Sequence, residues 1–256
     1  MNCSTLFTHL PLAARLDRVR KAGFRAVESW WPFMSTCPRD REIEAFVRTV
    51  GDSGLRLAAL NFTGGDMERG ERGLVSVPGR ESQFRDSVEV AMGIGVELGT
   101  RRFNALYGNH SDEFSLTKEA EVADGNLRFA ATSAAERGAA VLLEPLSNAP
   151  DYPLRELADA AKVLARLEGE IPARSVLLLA DLYHLSVNGI DLIAAVRKHA
   201  RAIGHVQLAD APGRGAPGTG TVDLAGAMTE LLLHGYTGEV ALEYFTQDED
   251  PFSWLI

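Results

Sequence analysis

Val176-Leu177-Leu178-Leu179-Ala180-Asp181, followed at once by Leu182-Tyr183-His184, is five apolar residues closed by an acid. A run that is apolar at every position has no solvent face. It reads as a strand buried on both sides, as in a parallel sheet covered by helices. The same kind of run recurs toward the C-terminus, at Ile203 to Leu208 and Glu239 to Tyr244. Toward the N-terminus it recurs at Ala140 to Glu144, Phe103 to Tyr107, Leu55 to Leu60 and Ala26-Val27-Glu28, with a weaker first run near Asn2 to Leu6. Between the runs, apolar residues take helical spacing: Leu12, Leu16 and Val19; Ile43, Phe46, Val47 and Val50; Phe84, Val88, Met92 and Val96. Eight strand–helix units at spacings of about 30 to 45 residues predict a (β/α)8 TIM barrel, with residues 1–256 as one domain. A doubly wound open sheet is the alternative, but no Gly-x-Gly-x-x-Gly turn follows the first strand, as a dinucleotide-binding sheet would require.

Composition narrows the function. The chain has 26 Lys plus Arg against 35 Asp plus Glu, a net charge of −9, which repels phosphate backbones and argues against nucleic acid as a partner. Apolar runs such as Ala139 to Leu143 fall far short of the roughly 20 residues that span a bilayer, and no charged-then-apolar leader follows Met1. A soluble, cytoplasmic protein without a membrane partner is expected. Cys3 and Cys37 are too few for a disulfide framework and lack metal-ligand spacing.

Four of the later runs end in a residue with a metal-binding oxygen: Glu144 in Val-Leu-Leu-Glu-Pro, Asp181 in Leu-Leu-Leu-Ala-Asp, Gln207 in His-Val-Gln-Leu, and Glu243 in Val-Ala-Leu-Glu-Tyr. Active sites of TIM barrels lie at the C-terminal ends of the strands. Any one of these residues can cap a helix or pair with an arginine. Together they bring three like charges close to one another in an apolar setting, which is costly unless protons or a cation neutralise them. Three carboxylates and an amide suit a hard divalent ion, Mg²⁺ or Mn²⁺.

Two histidines are within reach of the same mouth. His184 lies three residues beyond Asp181, and His205 lies two before Gln207, hence on the same face of its strand. His205 reads equally well as a satisfied core histidine. Two segments are too long and glycine-rich for plain connections, Thr63 to Arg80 and Asp210 to Thr221, and loops of that kind tend to carry function. The second lacks the Gly-Lys-Ser/Thr ending of an ATP site, but it offers Arg214 for bidentate contact with a substrate carboxylate.

The string Gly70-Glu71-Arg72-Gly73-Leu74-Val75-Ser76-Val77-Pro78-Gly79-Arg80-Glu81 resembles the hydroxypyruvate isomerase family, within the xylose-isomerase-like barrels. Similarity extends from Asn2-Cys3-Ser4 and Gly23 to Glu28, through Asn126 to Ala131, to Gly204-His205-Val206-Gln207 and Pro217-Gly218-Thr219-Gly220. The resemblance implies that Glu144, Asp181, Gln207 and Glu243 hold a divalent cation and that Glu144 and Glu243 also act as acid and base. His184 and Arg214, with Arg72, Glu71 and His205, would surround a small hydroxy-keto acid. It also implies a homo-oligomer. The chain departs from the family pattern at Phe245-Thr246, where Lys and Pro usually follow the aromatic residue after the last strand's acid, and at Trp30-Trp31, in place of smaller apolar residues.

Hydroxypyruvate and tartronate semialdehyde differ by a hydrogen shift between adjacent carbons, so the expected reaction is proton transfer through an enediolate. The same barrel and ligand set serve 2-oxo-tetronate isomerases, keto-sugar epimerases and sugar-acid dehydratases. A non-catalytic sugar-acid binding module is the alternative of another class, and paired acid/base glutamates argue against it. A DNA-repair endonuclease on this fold would need more His and acid ligands and a basic face.

Overall fold

A computed structural model describes residues 1–248 and 250–255. Seven strands form one parallel sheet in sequence order: β1 (Ala26–Ser29), β2 (Arg56–Asn61), β3 (Arg102–Ala105), β4 (Ala140–Leu143), β5 (Val176–Asp181), β6 (Ile203–Leu208) and β7 (Val240–Leu242). Each strand pairs with the next, the pattern of a right-handed β/α winding.

The expected first strand contracts to a seam. Asn2 forms a parallel bridge with Glu28, and its amide donates to the Leu242 carbonyl at 2.8 Å. The residues on either side complete the join, with Glu28 N donating to Met1 O and Cys3 N to Glu28 O, both at 2.9 Å. Residues 1–3 thus occupy the eighth place and close the ring between β7 and β1. The strand stops there because the Asn2 side chain takes the Ser4 amide at 2.9 Å and its carbonyl takes the Thr5 hydroxyl at 3.2 Å, which turns the chain away.

The helices are α1 (Leu12–Lys21), α2 (Asp40–Asp52), α3 (Glu81–Leu98), α4 (Leu116–Ala135), α5 (Leu157–Arg166), α6 (Leu182–Val187), α7 (Leu192–His199) and α8 (Leu224–Leu233). Leu16 and Val19 of α1, and Phe46 and Val50 of α2, face the core as the spacing predicts. In α3, Phe84, Val88 and Met92 are buried, but Val96 is 59% exposed. Steps of four residues advance about 40° beyond a full turn each, so by Val96 the series has rotated off the inward face and Gly95 takes its place. No described helix is long and apolar enough to cross a membrane.

Both long loops are tied down at the C-terminal face. The loop after β2 includes a short 3-10 turn at Met67–Arg69 and folds over the end of β3. Gly73 N donates to Gly64 O at 2.8 Å, Ser76 N to Tyr107 O at 2.7 Å and Gly108 N to Arg72 O at 3.0 Å. Gly73 has φ +101°, and a Cβ there would stand 1.9 Å from the Leu106 carbonyl oxygen, so only glycine lets the loop lie this close. The loop after β6 folds around Asp210, whose carboxylate accepts from the amides of Ala211 and Val222 at 2.9 Å and Gly218 at 3.0 Å. That fold carries Arg214, itself at φ +56°, back over the barrel.

Candidate active site

The mouth holds a cavity of about 370 Å³. Glu144, His184, Arg214, Glu243 and Arg72 line it, joined by Trp30, Met67, Leu106, Tyr183 and Phe245. Glu144 and Glu243 each follow the last residue of their strand, β4 and β7, and Asp181 is the last residue of β5. All three carboxylates are buried.

Asp181 caps α6, accepting from Tyr183 N at 2.9 Å and His184 N at 3.4 Å through Oδ1, which leaves Oδ2 toward the mouth. There Arg214 Nη2 donates to Asp181 Oδ2 at 2.7 Å and to Glu243 Oε1 at 2.8 Å. Its Nε donates to the Glu243 carbonyl at 3.1 Å, and the guanidinium lies 5.2 Å from the Tyr183 ring centroid and 5.9 Å from that of Phe245. One arginine therefore serves two acids. Among the described residues Glu144 has no cation in contact and accepts only from Asn104 Nδ2 at 2.6 Å through its side chain.

This imbalance sets the protonation states. Burial, reinforced by the charges of Glu243 and Asp181, raises the Glu144 carboxyl well above the ordinary carboxylate range; the Asn104 bond and Arg214 offset only part of this. Burial also pushes Glu243 up to about 8, against the pull of Arg214 and with the charges of Glu28 and Asp181 adding to it. Arg214 itself is held firmly cationic: burial works against its charge, but Asp181, Glu243 and Glu144 outweigh it.

His184 is neutral, lowered to about 4 chiefly by burial. Its Nδ1 accepts from the Ser147 amide at 3.0 Å, so the ring proton is on Nε2, 3.6 Å from Asp181 Oδ2. His184 Nε2 falls within 4.8 Å of oxygens from Glu144 and Asp181, as a metal cluster requires. With its proton there, His184 is a hydrogen-bond donor to a ligand instead of a metal donor.

Beneath Glu243 lies a second polar layer. Gln207 Nε2 donates to Glu28 Oε1 at 2.8 Å and to Glu243 Oε2, and Asn2 Nδ2 reaches the same two oxygens at 3.2 and 3.0 Å. His205 Nε2 meets Glu28 Oε2 at 2.7 Å. Glu28 stays below its ordinary range because the His205 bond and charge outweigh burial, which is the largest single influence and acts in the opposite direction.

The predicted residues therefore divide. Glu144, Asp181, His184, Arg214 and Glu243 converge on the mouth, with Gln207 bound to Glu243 just below and Arg72 on the wall. Arg72 is fixed by donation to the Met67 and Glu71 carbonyls at 3.1 and 2.7 Å. Glu71 does not face the cavity: its carboxylate takes the Asp66 amide and the Arg80 guanidinium, holding its own loop together. His205 does not reach the mouth either. It is fully buried one layer below Gln207, paired with Glu28, and its Nδ1 is without a partner among the described residues.

Two residues here, Glu28 and Asn104, escaped the sequence reading, and Trp30 stood out there only as a departure from the family pattern. Glu28 closes the Ala26-Val27-Glu28 run as the other acids close theirs, and that position was its signal. Asn104 lies inside β3 and had none. Trp30 donates its indole N–H to Glu243 Oε1 at 3.1 Å.

A divalent cation fits the residues present. The acids outnumber the cations, and the buried Gln207 Oε1 has no hydrogen-bond partner among the described residues. Among the described residues, the ligand atoms that lie within 4.8 Å of one another belong to Glu144, Asp181 and His184, while Glu243 stands outside that group, held by Arg214.

A barrel of this topology with its acids at the strand ends defines the class. The chain belongs to the xylose isomerase-like TIM barrel family, whose family model matches residues 16–255. It is 41% identical, over all of this chain and 94% of the other, to a Streptomyces coelicolor protein assigned by name to the hydroxypyruvate isomerases. It is 31% identical to the hydroxypyruvate isomerase of Escherichia coli over 99% of this chain and 96% of that one. Among solved structures it is similar to one from Brucella melitensis described as an AP endonuclease, family 2, with a TM-score of 0.87 and 30% identity over 99% and 95% of the two chains. Within the family the chain stands with the hydroxypyruvate isomerases as a sugar-acid isomerase.

Proposed function

We propose that this protein interconverts hydroxypyruvate and tartronate semialdehyde, with Mg²⁺ or Mn²⁺ held by Glu144, Asp181, Gln207 and Glu243. The observation that carries this reading is the placement of two buried glutamates of raised proton affinity, from the non-adjacent strands β4 and β7, on one small cavity that also presents two arginines. When bound, the cation supplies Lewis-acid stabilisation of the negative charge that develops on neighbouring substrate oxygens.

The residues of the chain account for the remainder. Arg72 and Arg214 offer planar donor forks for the substrate carboxylate. His184, neutral with its proton on Nε2, donates to a substrate oxygen without competing as a base. One glutamate, as carboxylate, removes a proton from C3 of hydroxypyruvate to give the enediolate. The other, protonated, delivers one to C2. The hydroxyl proton passes from the C3 oxygen to the C2 oxygen, so atoms and electrons balance with no external oxidant. Trp30, Met67, Leu106 and Phe245 wall the cavity and exclude water from the enediolate.

A proton NMR time course of hydroxypyruvate in D₂O, with and without Mg²⁺ or Mn²⁺, tests the proposal. Metal-dependent appearance of tartronate semialdehyde with deuterium at C2 is the expected result. Turnover of a 2-oxo-tetronate but not of hydroxypyruvate would overturn the substrate assignment and leave the site chemistry standing.

A further inference from the structure

At the opposite, N-terminal end of the barrel lies a second concavity, of about 400 Å³. Arg102 enters it from the start of β3, Arg174 from the turn before β5, Arg201 from the turn before β6, and His234 and Thr237 from the connection into β7. Among the described residues no carboxylate lines it, although acids outnumber bases 35 to 26 in the chain. Among the described residues none of these three arginines has an acidic partner. Arg102 donates to the carbonyls of Gly204 at 3.2 Å and Arg101 at 3.0 Å, and Arg174 to that of Arg201 at 3.1 Å.

Those carbonyl bonds hold the Arg102 and Arg174 guanidiniums in place without neutralising them. Each guanidinium has five N–H donors and uses only one or two at most, leaving forks whose geometry matches phosphate oxygens. Arg174 is brought against the backbone of Arg201, whose own side chain is exposed beside the same concavity. Arg174 also adopts φ +60°, a left-handed backbone that glycine takes without strain, and there the chain places a guanidinium. Thr237 and Gly238 lie on the same wall.

We propose that this face binds a small organic phosphate, its phosphate group between Arg102, Arg174 and Arg201. The volume suits a small metabolite, and the acidity of the rest of the chain disfavours a nucleic-acid backbone. Glu144, Asp181 and Glu243 are at the other end of the strands, so this ligand does not compete with substrate in the mouth.

Calorimetric titration of the full chain with glycerol 3-phosphate, and separately with inorganic phosphate, at low ionic strength tests the proposal. The Arg174→Ala/Arg201→Ala double variant removes two exposed side chains, and an unchanged melting temperature verifies its fold. Arg214→Met controls for anion binding in the mouth. The expected result is one saturable site for glycerol 3-phosphate, weakened at least tenfold in the double variant, unchanged in Arg214→Met, and tighter than for inorganic phosphate. Absence of saturable binding, or binding that survives the double variant and disappears in Arg214→Met, overturns the site. Equal affinity for the two phosphates overturns the organic ligand.

Discussion

Arg214 Nη2 lies 2.7 Å from Asp181 Oδ2, placing a fixed positive charge among the acids that would hold a metal ion. The same nitrogen bridges to Glu243, so a cation bound by both acids must displace it. Arg214→Met should therefore tighten Mn²⁺ binding by about tenfold or more, given ~1.5–3 kcal/mol for a charge-assisted hydrogen bond. The same change should raise KM for an acid substrate. Calorimetry and steady-state kinetics measure the two effects separately, and weaker metal binding in the variant would refute the displacement.

Glu144→Gln and Glu243→Gln should each lower kcat by about 10²–10⁴, the usual worth of a positioned acid or base. Both variants are to be assayed at metal concentrations shown to saturate them, because each also removes a charged ligand. Near-normal turnover in both would exclude the proton-transfer scheme.

The pH dependence has a definite sign. Glu243 is at about 8 when folded against an ordinary 4.5, so the folded state holds a proton that the unfolded chain releases, and stability falls as pH rises between those values. His184 acts oppositely, at about 4 against 6.5, losing stability as pH falls through that range. Where the windows overlap the two offset each other, and from about 6.5 to 8 the Glu243 proton acts without that opposition. The metal-free protein should lose melting temperature across that interval. Mn²⁺ affinity should rise about tenfold per pH unit for each proton displaced, with the contribution of the Glu243 proton levelling above about 8. A flat affinity profile between pH 6.5 and 8 would show that no proton is displaced.

Trp30→Phe keeps an aromatic ring on the wall but removes an N–H from Glu243. Loss of one such bond should reduce kcat about tenfold, on the scale of ~1.5 kcal/mol, with KM little changed. A rise in KM alone would mean that Trp30 shapes the pocket without orienting the carboxylate.

Gly73→Ala should destabilise by about 3 kcal/mol, through strain at a left-handed backbone position and a clash with the Leu106 carbonyl. Chemical denaturation measures it, and a change below about 0.5 kcal/mol would show that the loop shifts freely.

The strand-end acids were legible because an acid after several apolar residues is conspicuous in one dimension. Glu28 has the same signature, but its partners His205 and Gln207 are 177 and 179 residues away, and only the closed ring brings them together. Alternation put His205 on the inward face correctly. It does not report depth, and two residues along a strand lower a side chain by about 6.6 Å, from the mouth into the layer below. Glu71 and Arg72 belong to one string, yet the turn at Gly70, φ +95°, sends the acid back toward Arg80 while the arginine borders the cavity. The seam at Asn2 was placed correctly but read too long, because the side chain that ends it also turns the chain.

That seam governs when activity can first arise. Asn2 donates to Glu243 at 3.0 Å across a sequence separation of 241 residues, so this contact waits for the synthesis of all the chain that lies between them. Contacts of such separation form late, after the entropy of closing the intervening chain has been met. A ribosome-bound fragment can build helices and neighbouring strands while still lacking one of its two paired glutamates. Catalysis in this protein should therefore switch on in a single step at ring closure, and the appearance of activity during refolding would time that event directly.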